Sequence, residues 1–430
     1  LHGSSLPRPG QGHSFPPLSS PAGVAVPAGF SPAAGPRPWG VGQGYGIIVR
    51  VPTDGPQEVC AVRLPEFRLE RYFARYEFNV KHVLCASDCQ SFTLGELLDL
   101  EPGARDELER LWLGYTESPG SPALRREIAR LYATIGPDDV LVHSGAQEAI
   151  FVFMHAALQP GDHVIVHSPC YQSLRDVAAA LGCQVSLWTA REEAGWAVDI
   201  DELKRLLRDN TRVVVLNTPH NPTGWLMPRD AFEELVRITA ERGVILFSDE
   251  VYRGLEENPG ERLPAACDLG PHAVSLGVLS KSYGLPGLRI GWVATHDRRL
   301  LARMAAIKDY TTICNSAPSE FLATLALGRG DALLARTRAI LAANRARADA
   351  FFERHQDRFR WVRPAAGPIG FPRLLAGDVE EFCRRLVDEA GVLLLPGTVY
   401  DVDTPHFRIG LGRADFPQAM DRLEEFLARA

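Results

Sequence analysis

Lysine is scarce in this chain, occurring only at Lys81, Lys204, Lys281 and Lys308. The segment Ser280-Lys281-Ser282-Tyr283-Gly284-Leu285-Pro286-Gly287-Leu288-Arg289-Ile290-Gly291 sets Lys281 just past an apolar run, in a small, glycine-rich turn. Lysine is usually a solvated surface charge. Lys204, in Asp201-Glu202-Leu203-Lys204-Arg205, reads as part of an exposed helix face, and Lys81 and Lys308 have polar neighbours and no glycine around them. Lys281 alone has the setting in which an amine is desolvated and held against a carbonyl group, as covalent amine chemistry requires.

Other candidates fall at the ends of apolar runs. Ser248-Asp249-Glu250-Val251-Tyr252 follows Val244–Phe247 and offers two competing carboxylates. A carboxylate beside a ring nitrogen keeps that nitrogen protonated, because an opposite charge favours the charged form. Asn217-Thr218-Pro219-His220-Asn221-Pro222-Thr223-Gly224 is a turn dense in ladder-breaking residues. A turn alone explains its prolines and glycine but does not demand two asparagines; His220 reads as a structural neighbour. Ser144-Gly145-Ala146-Gln147-Glu148-Ala149 opens a helix on which Ile150, Phe153, Met154 and Ala157 share a face. Backbone N–H groups at such a start bind phosphate, aided by the helix dipole. Tyr171, in Ser168-Pro169-Cys170-Tyr171, reads equally as a core tyrosine or as a ring lying on a ligand.

The elements that must position these residues alternate. Apolar strand-like runs at His163–Val166, Gln184–Trp188, Val213–Leu216, Val244–Phe247, Ala273–Leu276 and Ile290–Val293 are interleaved with helical patterns such as Asp199–Leu207 and Arg229–Glu241. Buried runs separated by helices predict a mostly parallel sheet covered on both faces. Before it come an amphipathic arm at Pro65–Phe73 and a helix at Pro122–Tyr132, with Leu124, Ile128 and Leu131 on one face; after it come helical patterns at Arg345–Arg354 and Phe416–Ala430. The expected organisation is a Pro- and Gly-rich extension without fixed structure over 1–60, an arm over 61–104, a large domain over 105–310 and a smaller one over 311–430 that includes the arm. The 430 residues are 46% hydrophobic and 23% charged, with a formal charge of -7, so a sizeable core is expected. No basic tract is long enough to follow a phosphate backbone, no apolar run is long enough to cross a bilayer, and the eight cysteines form no CxxC pair that suggests a metal knuckle. A cytoplasmic protein with reduced thiols is expected, with neither nucleic acid nor membrane as partner.

Taken together and in this order, the motifs resemble those of the class I/II aminotransferases, the fold type I pyridoxal-phosphate enzymes, over roughly residues 65 to 430. The resemblance implies an α/β fold with a large cofactor-binding domain and a smaller α+β domain. It also implies pyridoxal 5'-phosphate held by Lys281 as a Schiff base, with Asp249 at the pyridine nitrogen, Asn221 and Tyr252 at the phenolic oxygen, and Tyr171 stacked on the ring. Ala146, Gln147, Ser280 and Arg289, eight residues past Lys281, become phosphate contacts; Ser280 would take over from a serine that many relatives carry at the position of Val278. Arg408, in His406-Phe407-Arg408-Ile409-Gly410, matches the clamp for the substrate α-carboxylate, with Asn221 beside it. Tyr115, before Pro119-Gly120-Ser121-Pro122, matches the tyrosine that reaches the phosphate of a neighbouring subunit, which implies a homodimer.

The implied activity is transfer of an amino group between an L-amino acid and a 2-oxo acid, with Lys281 as general base. The arm Arg71-Tyr72-Phe73 and the loop Ser87–Leu97 also resemble the subgroup containing capreomycidine synthase, which implies β-elimination and ring closure on a hydroxyarginine-like substrate. Asp88 in that loop either attracts a guanidinium or caps a turn. A dicarboxylate-specific enzyme would need a second cation over the side-chain pocket, which linear order does not place; Arg363 and Arg373, in the segment Val362–Arg373, are suggestive of one. A ligand-sensing regulator would need a basic helix-turn-helix ahead of the domain, which the leader does not offer.

Overall fold

Strands rich in Val, Ile and Leu on both faces have no polar side to turn towards water, so helices must cover both. The computed structural model describes residues 64–429, and the extension expected over 1–60 lies outside them. Seven strands form the main sheet: β1 (Val140–His143), β2 (His163–Ser168), β3 (Gln184–Thr189), β4 (Thr211–Asn217), β5 (Ile245–Asp249), β6 (Ala273–Val278) and β7 (Gly291–Ala294). Their order is β1-β7-β6-β5-β4-β2-β3. All neighbours are parallel except β7, which runs antiparallel to both β1 and β6. The strand expected at Ile290–Val293 therefore exists but reverses direction, because the connection from β6, residues 279–290, contains no α-helix to carry the chain back for a parallel pairing. β5 and β6 are buried along their whole length, whereas the edge strand β3 is mostly half-buried or exposed.

The helices follow the predicted apolar faces with adjusted ends. They include α1 (Arg68–Tyr76), α2 (Pro122–Ala129), α3 (Ala146–Ala157), α4 (Arg229–Glu241), α5 (Gly330–Arg354) and α6 (Phe416–Leu427). α2 is capped by Ser121 and stops before Leu131, which packs half-buried in the following turn. The pattern read at Arg345–Arg354 is the last part of the 25-residue α5. Among the described residues no helix is long and apolar enough to cross a membrane.

The two ends of the described chain are laced together. His82–Val83 pairs in parallel with Val392–Leu393. A three-stranded antiparallel sheet has Phe407–Gly410 at its centre, between Ile369–Gly370 and Leu395–Pro396. The stretch from Leu84 to Gln90 lies along this strand and its continuation: Gly410 N–H donates to Leu84 O at 2.6 Å, Gln90 N–H to Gly412 O at 2.7 Å, and Arg413 grips Asp88 with two bonds of 2.9 and 3.0 Å.

Lys308 corrects the reading of Lys281 as the one desolvated lysine. It is 0% exposed, its Nζ donates to Ser118 O, and Glu148 and Glu320 offset the burial that lowers its pKa. It ties the loop before α2 to the end of the helix Arg298–Lys308 and lies outside the cavity around Lys281.

β7 begins where α3 begins, and their backbones touch. A Cβ on Gly291 would stand 2.7 Å from Gly145 C and 2.8 Å from Ala146 N. Backbone cannot yield as a side-chain tip can, so Gly291→Ala should destabilise by about 1–3 kcal/mol in thermal unfolding. Gly287→Ala, into open space, should change stability by less than about 0.5 kcal/mol. Equal melting temperatures for the two variants would show that the contact does not constrain the fold.

Candidate active site

The carboxyl ends of adjacent parallel strands form a crevice, and three strands deliver the key groups there. Asn217 and Asp249 stand opposite each other at the ends of β4 and β5, and Lys281 follows β6. They line a cavity of about 390 Å³, closed on the other side by α1, the loop at Ser87-Asp88 and Arg408. Lys281 Nζ donates to Ser87 Oγ at 2.9 Å. Burial lowers the Lys281 pKa and nearby Arg408 adds to this, against the pull of Asp88 and Asp249.

Asp249 is buried and, among the described residues, has no cation in ion-pair contact. Burial pushes its carboxyl up to about 7, opposed by the Val251 N–H that donates to Oδ1 at 3.2 Å and by Lys281. Asn217 braces this acid: its Nδ2 donates to Asp249 O at 3.0 Å, and its Oδ1 accepts the Asn221 N–H at 2.7 Å. The two asparagines of the turn thus have different tasks. Glu250, the competing carboxylate, points away, accepting from Ala266 N–H and Ser275 Oγ at 2.8 Å each. His220 is a buried structural residue, bonded to Thr223 Oγ1 and Pro169 O and stacked on His167.

Opposite the acid, the start of α3 meets Arg289. A Cβ on Gly145 would collide with the Arg289 guanidinium, so glycine admits that cation to the helix N-terminus. Ser280 Oγ stands 3.4 Å from Arg289 Nη1. The first-turn N–H groups of Ala146 and Gln147, which cannot bond within the helix, face the same corner of the cavity. Tyr171 lines its side, with its ring 5.1 Å from that of Phe67 and its hydroxyl donated to Glu70 at 3.0 Å.

Arg408 is buried; its Nε donates to Cys85 O at 3.0 Å, and its Nη2 has no partner. The Tyr252 hydroxyl is likewise buried and unpartnered. Asp249, the orphaned Tyr252 hydroxyl and the cationic helix start fit the ring nitrogen, phenolic oxygen and phosphate of pyridoxal phosphate, and the orphaned Arg408 Nη2 fits a substrate carboxylate beside it. Such buried polar groups are costly unless a ligand satisfies them.

Several residues stand elsewhere than a single-chain site would need. Tyr115 is 86% exposed and lines a different groove with Trp112. Arg363 and Arg373 do not reach the cavity: Arg363 pairs with Glu257 and Asp349, and Arg373 with Glu192. The expectation of a side-chain-binding cation there is corrected, since both guanidinia are already held by carboxylates. Glu70 and Glu77, which sequence reasoning passed over, line the cavity with Asp88. Tyr400, also passed over, donates its hydroxyl to Asn221 Oδ1 at 3.1 Å and accepts from Arg408 Nη1 at 2.5 Å. No motif pointed to it; the amphipathic spacing of α1 was the available signal for the two glutamates.

Residues 83–423 match the family described as aminotransferase class I and II. Capreomycidine synthase of Streptomyces vinaceus is 34% identical over 83% of this chain and 90% of its own length. Arginine–pyruvate transaminase of Pseudomonas aeruginosa is 31% identical over 69% of this chain and 77% of its own length. A crystal structure of a PLP-dependent aminotransferase from Streptococcus suis superposes with a TM-score of 0.81 at 34% identity, covering 85% of this chain and 98% of that one. The chain belongs to the class I and II aminotransferases, and its cofactor is pyridoxal phosphate.

The raised pKa of Asp249 has a definite sign. A group more basic in the folded than in the unfolded state stabilises fully below its unfolded pKa and loses that contribution as pH rises through the folded value. Cofactor-free protein should therefore lose stability relative to Asp249→Asn between about pH 4 and 7. At pH 8 the variant should melt a few degrees higher, and the difference should vanish near pH 4. With cofactor bound at pH 8 the order should reverse. Parallel melting curves at every pH would show that Asp249 carries no uncompensated charge.

Proposed function

We propose that this aminotransferase moves an amino group from an L-amino acid with a cationic side chain to a 2-oxo acid. The observation that carries the reading is the desolvated Lys281 amine sharing one cavity with the cation-free acid Asp249 and the half-satisfied guanidinium of Arg408. In this reading Lys281 attaches to the cofactor aldehyde, Asp249 pairs with its ring nitrogen, and Asn221 and Tyr252 meet its phenolic oxygen. Tyr171 bounds the ring, while Ala146, Gln147, Ser280 and Arg289 hold the phosphate. When bound, pyridoxal phosphate supplies an electrophilic carbon for the amino group and a protonated ring that draws off the electron pair left at Cα.

The chain's own residues do the rest. Arg408 offers Nη2 to the substrate carboxylate, which fixes the Cα–H direction. Lys281, whose burial favours the neutral amine, takes the Cα proton on Nζ, and Ser87 Oγ orients that nitrogen. The substrate side chain meets Glu70, Glu77 and Asp88. Burial and the neighbouring Asp88 raise the Glu77 pKa, and neither Glu70 nor Glu77 has an ion-pair partner among the described residues. Opposite charge relieves such a site, so a guanidinium or ammonium is favoured and a second carboxylate is repelled. Arginine–pyruvate transaminase, by its name, acts on such an amino acid.

A second copy completes the site in this reading. Trp112, Leu113, Tyr115 and Tyr310 are 78, 77, 86 and 93% exposed. Their segments are joined by Thr116 Oγ1–Asn315 O and Ser118–Asp309 bonds. Exposed surface of this kind marks an interface, and from it Tyr115 would reach the partner's phosphate. Sedimentation should return twice the chain mass; a monomer at micromolar concentration would remove this part.

Ring closure without amine transfer is the second reading, favoured by the match to capreomycidine synthase over 90% of that protein. L-Arginine supplied with pyruvate should yield alanine and a 2-oxo acid, whereas L-aspartate should react poorly. Product from arginine or its β-hydroxylated form without any acceptor would support ring closure instead. Lys281→Ala should lower the rate of either reaction by about 10²–10⁴-fold; a variant with normal turnover would remove Lys281 from the role.

A further inference from the structure

We propose that Tyr400 is a positioning residue that sets which face of the Asn221 amide meets the cofactor and, through the same oxygen, steadies Arg408. The argument is one of donors and acceptors. A guanidinium only donates, so Arg408 Nη1, 2.5 Å from Tyr400 Oη, makes the phenol oxygen an acceptor there. The phenol proton is left for Asn221, whose side chain is 3.1 Å away. That position must be the amide oxygen, since Arg408 Nη1 also approaches it at 3.3 Å and an amide NH2 turned there would meet two donors. The amide Nδ2 is therefore the group Asn221 presents to a ligand in the cavity it lines.

The chain of bonds continues in the other direction. Asn221 N–H donates to Asn217 Oδ1, and Asn217 Nδ2 donates to the carbonyl of Asp249. A single row of hydrogen bonds thus runs from the acid at the end of β5 to the carboxylate grip on the C-terminal sheet, with Tyr400 bridging the two. Burial pushes the Tyr400 phenol up to about 12, so it keeps its proton and its polarity of donation across the working range of pH.

The inference rests on the proposed placement of Asn221 at the cofactor's phenolic oxygen. A donor there withdraws electron density from that oxygen and weakens its hold on the proton it shares with the neighbouring nitrogen. In Tyr400→Phe only the 3.3 Å contact from Arg408 Nη1 still holds the amide oxygen, so the pH midpoint of the bound cofactor's absorption change should move upward, part of the way towards that of Asn221→Ala. The double variant should show the same midpoint as Asn221→Ala alone. Binding of an unreactive α-methyl amino acid, which needs Arg408, should weaken roughly tenfold in Tyr400→Phe.

Tyr400→Phe that folds and keeps the wild-type midpoint and affinity would overturn the inference, and so would one that loses only heat stability. If Tyr400→Phe fails to fold, the Asn221→Ala midpoint still decides, because a value equal to wild type shows that no amide donor reaches the cofactor. Wild-type protein that shows no cofactor absorption would instead remove the reading on which the inference stands.

Discussion

Asp249 carries a carboxyl group into a buried place where, among the described residues, no basic side chain pairs with it. Such an acid is costly when ionised, so the surroundings must either keep it neutral or receive a cation from outside. Asn217 and the Val251 N–H hold it in place without neutralising it. Lys281, just past the end of β6, is itself desolvated and tied to Ser87. The cavity is thus a set of charges held apart by the sheet, and a ligand carrying one cationic and one anionic end relieves both at once. The anionic end has its own place at the start of α3, where Gly145 lets Arg289 approach.

This arrangement explains why strands rather than loops bear the central groups. Adjacent parallel strands bring Asn217 opposite Asp249 and place Lys281 beyond the next strand, with spacing fixed by ladder hydrogen bonds. Loops could supply the same residue types but not the same precision. In the proposed reading the substrate-facing residues come instead from α1, the residue that follows it and the Ser87-Asp88 loop, all outside the seven-stranded sheet.

Much of this was legible in the sequence because strand composition and turn chemistry are local. The runs at His163, Val213, Val244 and Ala273 became strands within a few residues of their expected ends, and Lys281, Asp249, Asn221, Arg289 and Arg408 met in one place. What was not legible depends on partners distant in sequence. Lys308 looked like a surface residue because its neighbours are polar, yet its amine is taken up by Ser118. Arg363 and Arg373 looked free because Glu257, Asp349 and Glu192 lie far along the chain. Tyr400 follows a Pro-Gly turn like many tyrosines, and only the fold brings it between Asn221 and Arg408.

The lacing of Leu84–Gln90 onto Phe407–Gly410 bears on how the protein is made. Arg408 takes its orientation partly from the carbonyl of Cys85, a residue synthesised more than three hundred positions earlier. On the ribosome the seven-stranded sheet has all its strands by Ala294, while the early segment still lacks the strand it will lie against. A nascent chain can therefore shape the cofactor's half of the crevice well before it can grasp a substrate, and competence for turnover arrives only once the strand bearing Arg408 has been made.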